Sequence, residues 1–200
     1  MKLLFPNPWG FARAAQSEIE KLRKEHGFSQ AYADFLCGQN GVAFDKVKTD
    51  DKEYFAPSDA DSDGNAEIRR LYGLDSGEKY CELRDAIKDW MFLPWFFPVG
   101  VDYGGNVFVE ILHGKSRGFV ASLDHEYFLG SSSLEEFLED FKIEKFFEKS
   151  QDEQCDLLTS EKIGLAWMHA TSFAEFTGSC LHINEDGFGF VVDAATVKEA

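Results

Sequence analysis

Hydrophobic positions change their spacing several times along this chain, and each change marks an element. Phe11, Ala15, Ile19 and Leu22 recur at helical spacing, with Asn7 placed to cap the helix, Pro8 in its first turn and Gly27 to stop it. Ser29 opens a shorter helix that turns Tyr32, Phe35 and Leu36 to one side and ends at Gly38. Strand-like runs follow at 42–47 and 53–56, and 66–91 is helical in outline, with Tyr80, Leu83, Ile87 and Met91 as its apolar stripe. Then come two β-rich runs. Residues 97–102 and 107–113 flank Tyr103-Gly104-Gly105-Asn106, where glycines supply the positive φ angles of a tight hairpin turn, and a third run, 119–123, follows a turn at 114–118. Ser132 and Glu135 are spaced as a capping box for a helix bearing Leu134, Phe137, Leu138 and Phe141. Farther on, Ile163, Ala166, Trp167 and Ala170 sit at helical spacing, and 180–184 with 188–193 read as a hairpin around Glu185-Asp186-Gly187. A helix and one hairpin are too little to be stable alone, so this tail is expected to pack on the main sheet. The order of elements predicts an α+β fold, a twisted antiparallel meander sheet flanked by N-terminal and C-terminal helices.

Composition narrows the class. Two hundred residues with 44% hydrophobic side chains can bury a sizeable core, and twenty phenylalanines and four tryptophans must largely fill it. The opening 1–6 carries too short an apolar run for a signal peptide, and no run approaches a membrane span, so a cytoplasmic protein is expected. Cys37, Cys81, Cys155 and Cys180 are far apart, which predicts scattered reduced thiols rather than a zinc site or a redox pair. The net charge of −16 argues against nucleic acid and against anionic membranes as partners. That charge is uneven: 124–161 holds twelve acids against three lysines, whereas 1–30 holds five bases against three acids. Such a face serves either solubility or the docking of a basic protein.

Candidate chemistry is sparse. Asp59-Ala60-Asp61-Ser62-Asp63-Gly64 matches the first half of a calcium loop, but Arg70 stands where the bidentate glutamate belongs and Glu67 occupies the ninth position, so an acidic surface turn is the expectation. Gly114-Lys115-Ser116 resembles the end of a phosphate loop, yet Val109 replaces the required glycine and no helix follows. His113, Asp124, His125 and Glu126 lie at strand ends without a nucleophile or ligand spacing, and Cys180 with His182 reads as a buried thiol beside a packed imidazole. No catalytic residue, metal site or cofactor is therefore expected.

Residues 93–128 carry a family pattern. Leu93-Pro94, Pro98-Val99-Gly100, Asp102-Tyr103-Gly104-Gly105-Asn106 and Asp124-His125-Glu126 occur in this order, preceded by Tyr32-Ala33-Asp34-Phe35-Leu36 with Asn40-Gly41 and followed by Ser133-Leu134-Glu135-Glu136-Phe137-Leu138. In these pieces the chain resembles the SUKH superfamily, bacterial immunity proteins related to the fungal Smi/Knr cell-wall regulators. Val42 replaces a second glycine, Leu134 replaces a phenylalanine, and the Leu-Pro usual before the first helix is absent. The resemblance covers about 28–141 and implies one SUKH-like domain over 1–200, with 144–200 as a helix-plus-hairpin extension.

The resemblance implies a non-enzymatic immunity protein that binds and blocks a cognate toxin, often a nuclease or deaminase. Many nucleic-acid-degrading toxins are basic because their substrates are anionic, and an acidic inhibitor can exploit that field. The expected contact residues are Glu135, Glu139 and Asp140 in the acidic stretch, with Asp102 and Asn106 of the turn. Two other classes stay open: a regulatory scaffold like the fungal relatives, and a hydrolase using His113 or His125.

Overall fold

The computed structural model describes residues 11–43, 53–57, 68–88, 90–179, 181–183 and 190–192. Helices α1 (Gln16–His26) and α2 (Gln30–Gly38) come first, followed by strands β1 (Val42–Ala43), β2 (Glu53–Pro57) and β3 (Ile68–Leu71) and helix α3 (Leu83–Lys88). Strands β4 (Phe96–Asp102), β5 (Val107–Ile111) and β6 (Val120–Leu123) lead to helices α4 (Leu134–Asp140) and α5 (Gln151–Leu158). Strand β7 (Ala166–Ala170), helix α6 (Phe173–Ser179) and strands β8 (Leu181–Ile183) and β9 (Phe190–Val192) complete the order. The fold is α+β. Six strands form an antiparallel sheet in the order β1-β3-β4-β5-β6-β7, with the expected meander at its centre. A smaller sheet has the order β8-β2-β9.

Alternation along the central strands divides their side chains between two cores. Phe97, Phe108 and Val120 join Ile19, Tyr32 and Phe35 from α1 and α2 and Phe173 and Phe176 from α6. Phe96, Val109, Ile111, Ala121 and Leu123 join Phe137 and Leu138 of α4 with Cys155 and Leu158 of α5. Because both sheet faces are covered, the central strands read as nearly continuous apolar runs. The first turn signals hold: the Gly27 N–H donates to Arg23 O at 2.8 Å, and Ser29 Oγ accepts from Tyr32 N at 3.2 Å to cap α2.

Elsewhere the structure corrects the expected elements. Asn7 and Pro8 lie outside the described residues, and 11–15 is not helical. Ala12 instead donates its N–H to Ser76 O and accepts from the Asn40 side chain, so its backbone serves that turn. Residues 66–91 do not make one helix: β3 occupies the start and α3 is confined to Leu83–Lys88. The proposed stripe fails at Tyr80, which is 61% exposed. Asn40 reaches into this stretch and pairs with both backbone groups of Leu74, which fixes a turn where a helix would need those groups itself.

The tail does pack on the main sheet, but 163–170 is not a helix. Gly164 has φ 71°, and a side chain there would meet Tyr127 Oη at 3.2 Å, so the chain turns and 166–170 pairs with β6 as β7. Among the described residues the strands of the expected C-terminal hairpin do not pair with each other: β8 and β9 each pair with β2, which lies between them. The helix cap near 133 shifts by one residue. Ser133 Oγ accepts from Glu136 N, and the Glu136 carboxylate returns to the N–H and hydroxyl of Ser132. A full capping box, Ser150 with Glu153, starts α5, where the sequence reading placed no helix. Among the described residues no helix is long and apolar enough to cross a membrane.

Candidate functional site

Asp102 and Asn106 hold the β4–β5 turn together. Asp102 is 4% exposed, and its Oδ1 accepts from the backbone N–H groups of Gly105 and Asn106 at 2.7 and 2.8 Å. Its Oδ2 accepts from the Asn106 amide at 2.8 Å. Gly105 has φ 102°, which explains the glycine in the motif. Asn106 Oδ1 then accepts from His125 N at 3.1 Å and lies 2.9 Å from His125 Nδ1, so the ring is fixed with its proton on Nδ1. The family-like residues Asp102, Gly105, Asn106 and His125 therefore form one structural knot that ties the meander to the 3₁₀ turn His125–Tyr127. The carboxylate of Asp102 is saturated by this turn and faces away from solvent.

Glu135, Glu139 and Asp140 take the opposite role. All three are exposed on α4, whose buried face is Phe137 and Leu138. Beyond α4 the chain turns sharply and leaves an open groove of about 610 Å³ between the helix and the 3₁₀ turn Phe146–Glu148. Leu138, Ile143 and Phe146 supply apolar lining, and Phe147 stands beside them 63% exposed. Glu135, Glu139, Glu144 and Glu148 line the same groove, and among the described residues none of the four makes an ion pair or a side-chain hydrogen bond. Lys142 and Lys145, which also line it, take left-handed backbone angles, φ 53° and 55°, at a position that normally favours glycine or asparagine.

The groove is braced from behind by one buried amide. Gln154 of α5 is 7% exposed, accepts from the Trp95 indole N–H at 3.1 Å and donates to Phe146 O and Lys149 O, both at 3.0 Å. Replacing it with leucine leaves an indole N–H and two carbonyls without that partner. Gln154→Leu is thus expected to cost about 1–2 kcal/mol and to speed amide exchange at 146–149 relative to α2. Urea denaturation and hydrogen-exchange mass spectrometry read the two effects, and equal protection at 146–149 in both proteins would show that the brace is dispensable.

The other sequence candidates fall apart in space or into structural roles. Gly114 N and Lys115 N, at the supposed phosphate loop, donate to Asp152 and Asp156 of α5 at 2.8 Å each, so this turn docks on a helix. His113 Nδ1 lies 3.6 Å from Asp152 Oδ1 in the same contact. Asp124 caps the turn that holds His125. Cys37, Cys81 and Cys155 are thiols rather than disulfides. Among the described residues no group of three or more His, Cys, Asp or Glu side chains is arranged to hold a metal ion. The calcium-like segment 59–67 lies outside the described residues, as does Cys180, and the Cys180–His182 pairing with it.

Two features escaped sequence reasoning. Ser122 Oγ of β6 lies 2.8 Å from His169 Nε2 of β7, a contact between residues 47 positions apart that no local spacing announces. Ser122 is 6% exposed and the imidazole packs on the Phe108 ring at 5.5 Å, so the pair joins two strands inside the core. Glu110 of β5 is 2% exposed and accepts from Ser29 N at 2.7 Å through one oxygen, while the other lacks a hydrogen-bond partner. Burial pushes its carboxyl up to about 7, partly offset by the Ser29 hydroxyl, the Ser29 N–H and the nearby Arg23 charge. Strand alternation alone would have marked that residue as unusual, because Glu110 sits in an otherwise apolar run. Against known proteins the chain stands by its own chemistry: no family model, no curated protein and no solved structure matches it.

Proposed function

We propose that this chain is an immunity protein, one that binds a basic bacterial toxin, a nuclease or deaminase in class, and neutralises it by protein–protein contact in the cytoplasm of the producing cell. The observation that carries the reading is the acidic face of α4. Glu135, Glu139 and Asp140 are exposed there, bonded to no described side chain, beside a groove with apolar lining. The ordered resemblance of 28–141 to the SUKH superfamily supports it, and so does the placement of −9 of the net charge of −16 within 124–161, the stretch that holds this helix. Inhibition of this kind requires a stable scaffold and a complementary field, and it requires no catalytic group from the inhibitor.

The test pairs the protein with the product of a neighbouring toxin gene and follows association at low and high salt. Changing Glu135, Glu139 and Asp140 together to lysine is expected to slow association at low salt about 10-fold or more and to flatten its salt dependence, with the fold intact. Association rates that do not change would return this face to a solubilising role. Toxin activity undiminished by an excess of the native protein would overturn the immunity reading itself.

A further inference from the structure

We infer that the groove beside α4 is the seat of a large apolar side chain flanked by basic residues, presented by the partner protein, with Phe147 as the wall it packs against. The inference rests on the acidic-binder reading above and adds the place and chemistry of the partner's anchor. The groove is open to solvent, and its volume of about 610 Å³ leaves room for one large side chain. Charge alone would suit any cation. Here the carboxylates of Glu135, Glu139, Glu144 and Glu148, which outnumber Lys142 and Lys145 in the lining, flank apolar surface presented by Ile143 and the exposed ring of Phe147 over a floor of buried Leu138 and Phe146, so a simple cation would leave that surface wet and a bare apolar group would leave the excess negative charge unanswered. An aromatic or long aliphatic side chain with lysine or arginine beside it satisfies both.

The groove is also held ready. Ile143 N donates to Leu138 O at 2.8 Å, which folds the chain back over the end of α4, and Gln154 fixes the carbonyls of Phe146 and Lys149. Lys142 and Lys145 complete that turn in left-handed conformations that cost energy in any residue with a side chain. A site already shaped loses little ordering entropy on binding, and central apolar anchors ringed by polar contacts are where interface energy concentrates. Elsewhere, β7 exposes Trp167 and Met168 at the edge of the main sheet, but AWMHA carries no acid that would select a basic partner. That edge serves as the internal control.

The full-length ¹⁵N-labelled protein is titrated with three tripeptide amides of sequence KWK, KGK and EWE while its amide resonances are followed. KWK is expected to shift the amides of 138 and 143–148 saturably, at millimolar concentration. Phe147→Ala should weaken that binding at least 5-fold, and a Glu144→Gln, Glu148→Gln double variant should weaken it and reduce its salt dependence. KGK acting on the same amides with equal affinity would overturn the anchor while leaving an acidic, cation-attracting face. KWK shifting 166–170 instead, or shifting nothing, would overturn the groove as the seat. A Phe147→Ala protein that binds KWK like the native one, with an unchanged melting temperature, would do the same. None of these outcomes decides whether the whole protein blocks a toxin, which the association and inhibition measurements read separately.

Discussion

Replacing Glu110 with glutamine is expected to stabilise the protein by about 2 kcal/mol at pH 8 and to change little at pH 4. The carboxyl is buried at 2% exposure on β5, with one oxygen bonded to Ser29 N and the other without a hydrogen-bond partner. Loss of water around the charged form raises its folded value to about 7 from an ordinary 4.5. With the folded value above the unfolded one, the protonated acid's contribution is fully present below about pH 4.5 and is lost as pH rises through about 7. Glutamine keeps an oxygen for the Ser29 N–H and never ionises, and its own unbonded amide group holds the gain below the roughly 3 kcal/mol that the two values imply. Arg23, which lowers the value, and Tyr32, whose own ionisation is pushed up by burial and by Glu110, are the charged and titratable neighbours from α1 and α2. Urea denaturation of both proteins from pH 4 to 8 checks the result. Parallel pH profiles would mean that Glu110 stays ionised in the native protein or is hydrated there.

Local chemistry made the centre of the fold legible. Gly27 followed by Ser29 announces one helix ending and another beginning, and Asp102 to Asn106 between two apolar runs announces a hairpin, because each signal is contained in a few adjacent residues. Partners distant in sequence left no such trace. The pairing of β2 with both β8 and β9 depends on residues more than a hundred positions away, so 180–193 read as a self-contained hairpin although β2 occupies the place between its arms. Ile163, Ala166, Trp167 and Ala170 fit a helix by spacing, yet Trp167 is 56% exposed and Gly164 between them turns the chain the other way. That glycine was the available warning.

The candidate site divides along the same line. The acidic face of α4 was visible because charge is read directly from composition and the burial of Phe137 and Leu138 fixes which side of the helix faces water. The groove beside it was hidden, since it depends on left-handed Lys142 and Lys145, whose identity suggests no such backbone, and on Gln154 reaching across from another helix. Asp102 shows a third situation. Its motif was recognised, but an aspartate that binds a partner and an aspartate that closes its own turn have the same sequence context; the hydrogen bonds show the second role, and the first is tested by substitution.

That distinction has a large expected effect. Asp102→Ala should lower stability by about 3–4 kcal/mol, because three donors, Gly105 N, Asn106 N and the Asn106 amide, lose a shared buried acceptor. For a chain of this size the loss corresponds to a fall in melting temperature of roughly 6–16 °C. Asp102→Asn should fall in between, since its single oxygen can still receive both backbone N–H groups while its amide nitrogen opposes that of Asn106. The damage should spread to His125, whose backbone and ring both lean on Asn106 Oδ1, and so to the turn at His125–Tyr127. Thermal unfolding of the two variants with amide spectra of 102–106 and 125–127 follows this order. Were Asp102 a contact for the partner instead, both substitutions would leave the melting temperature in place and weaken association alone, the same behaviour that is expected when Glu135, Glu139 and Asp140 are changed together to lysine.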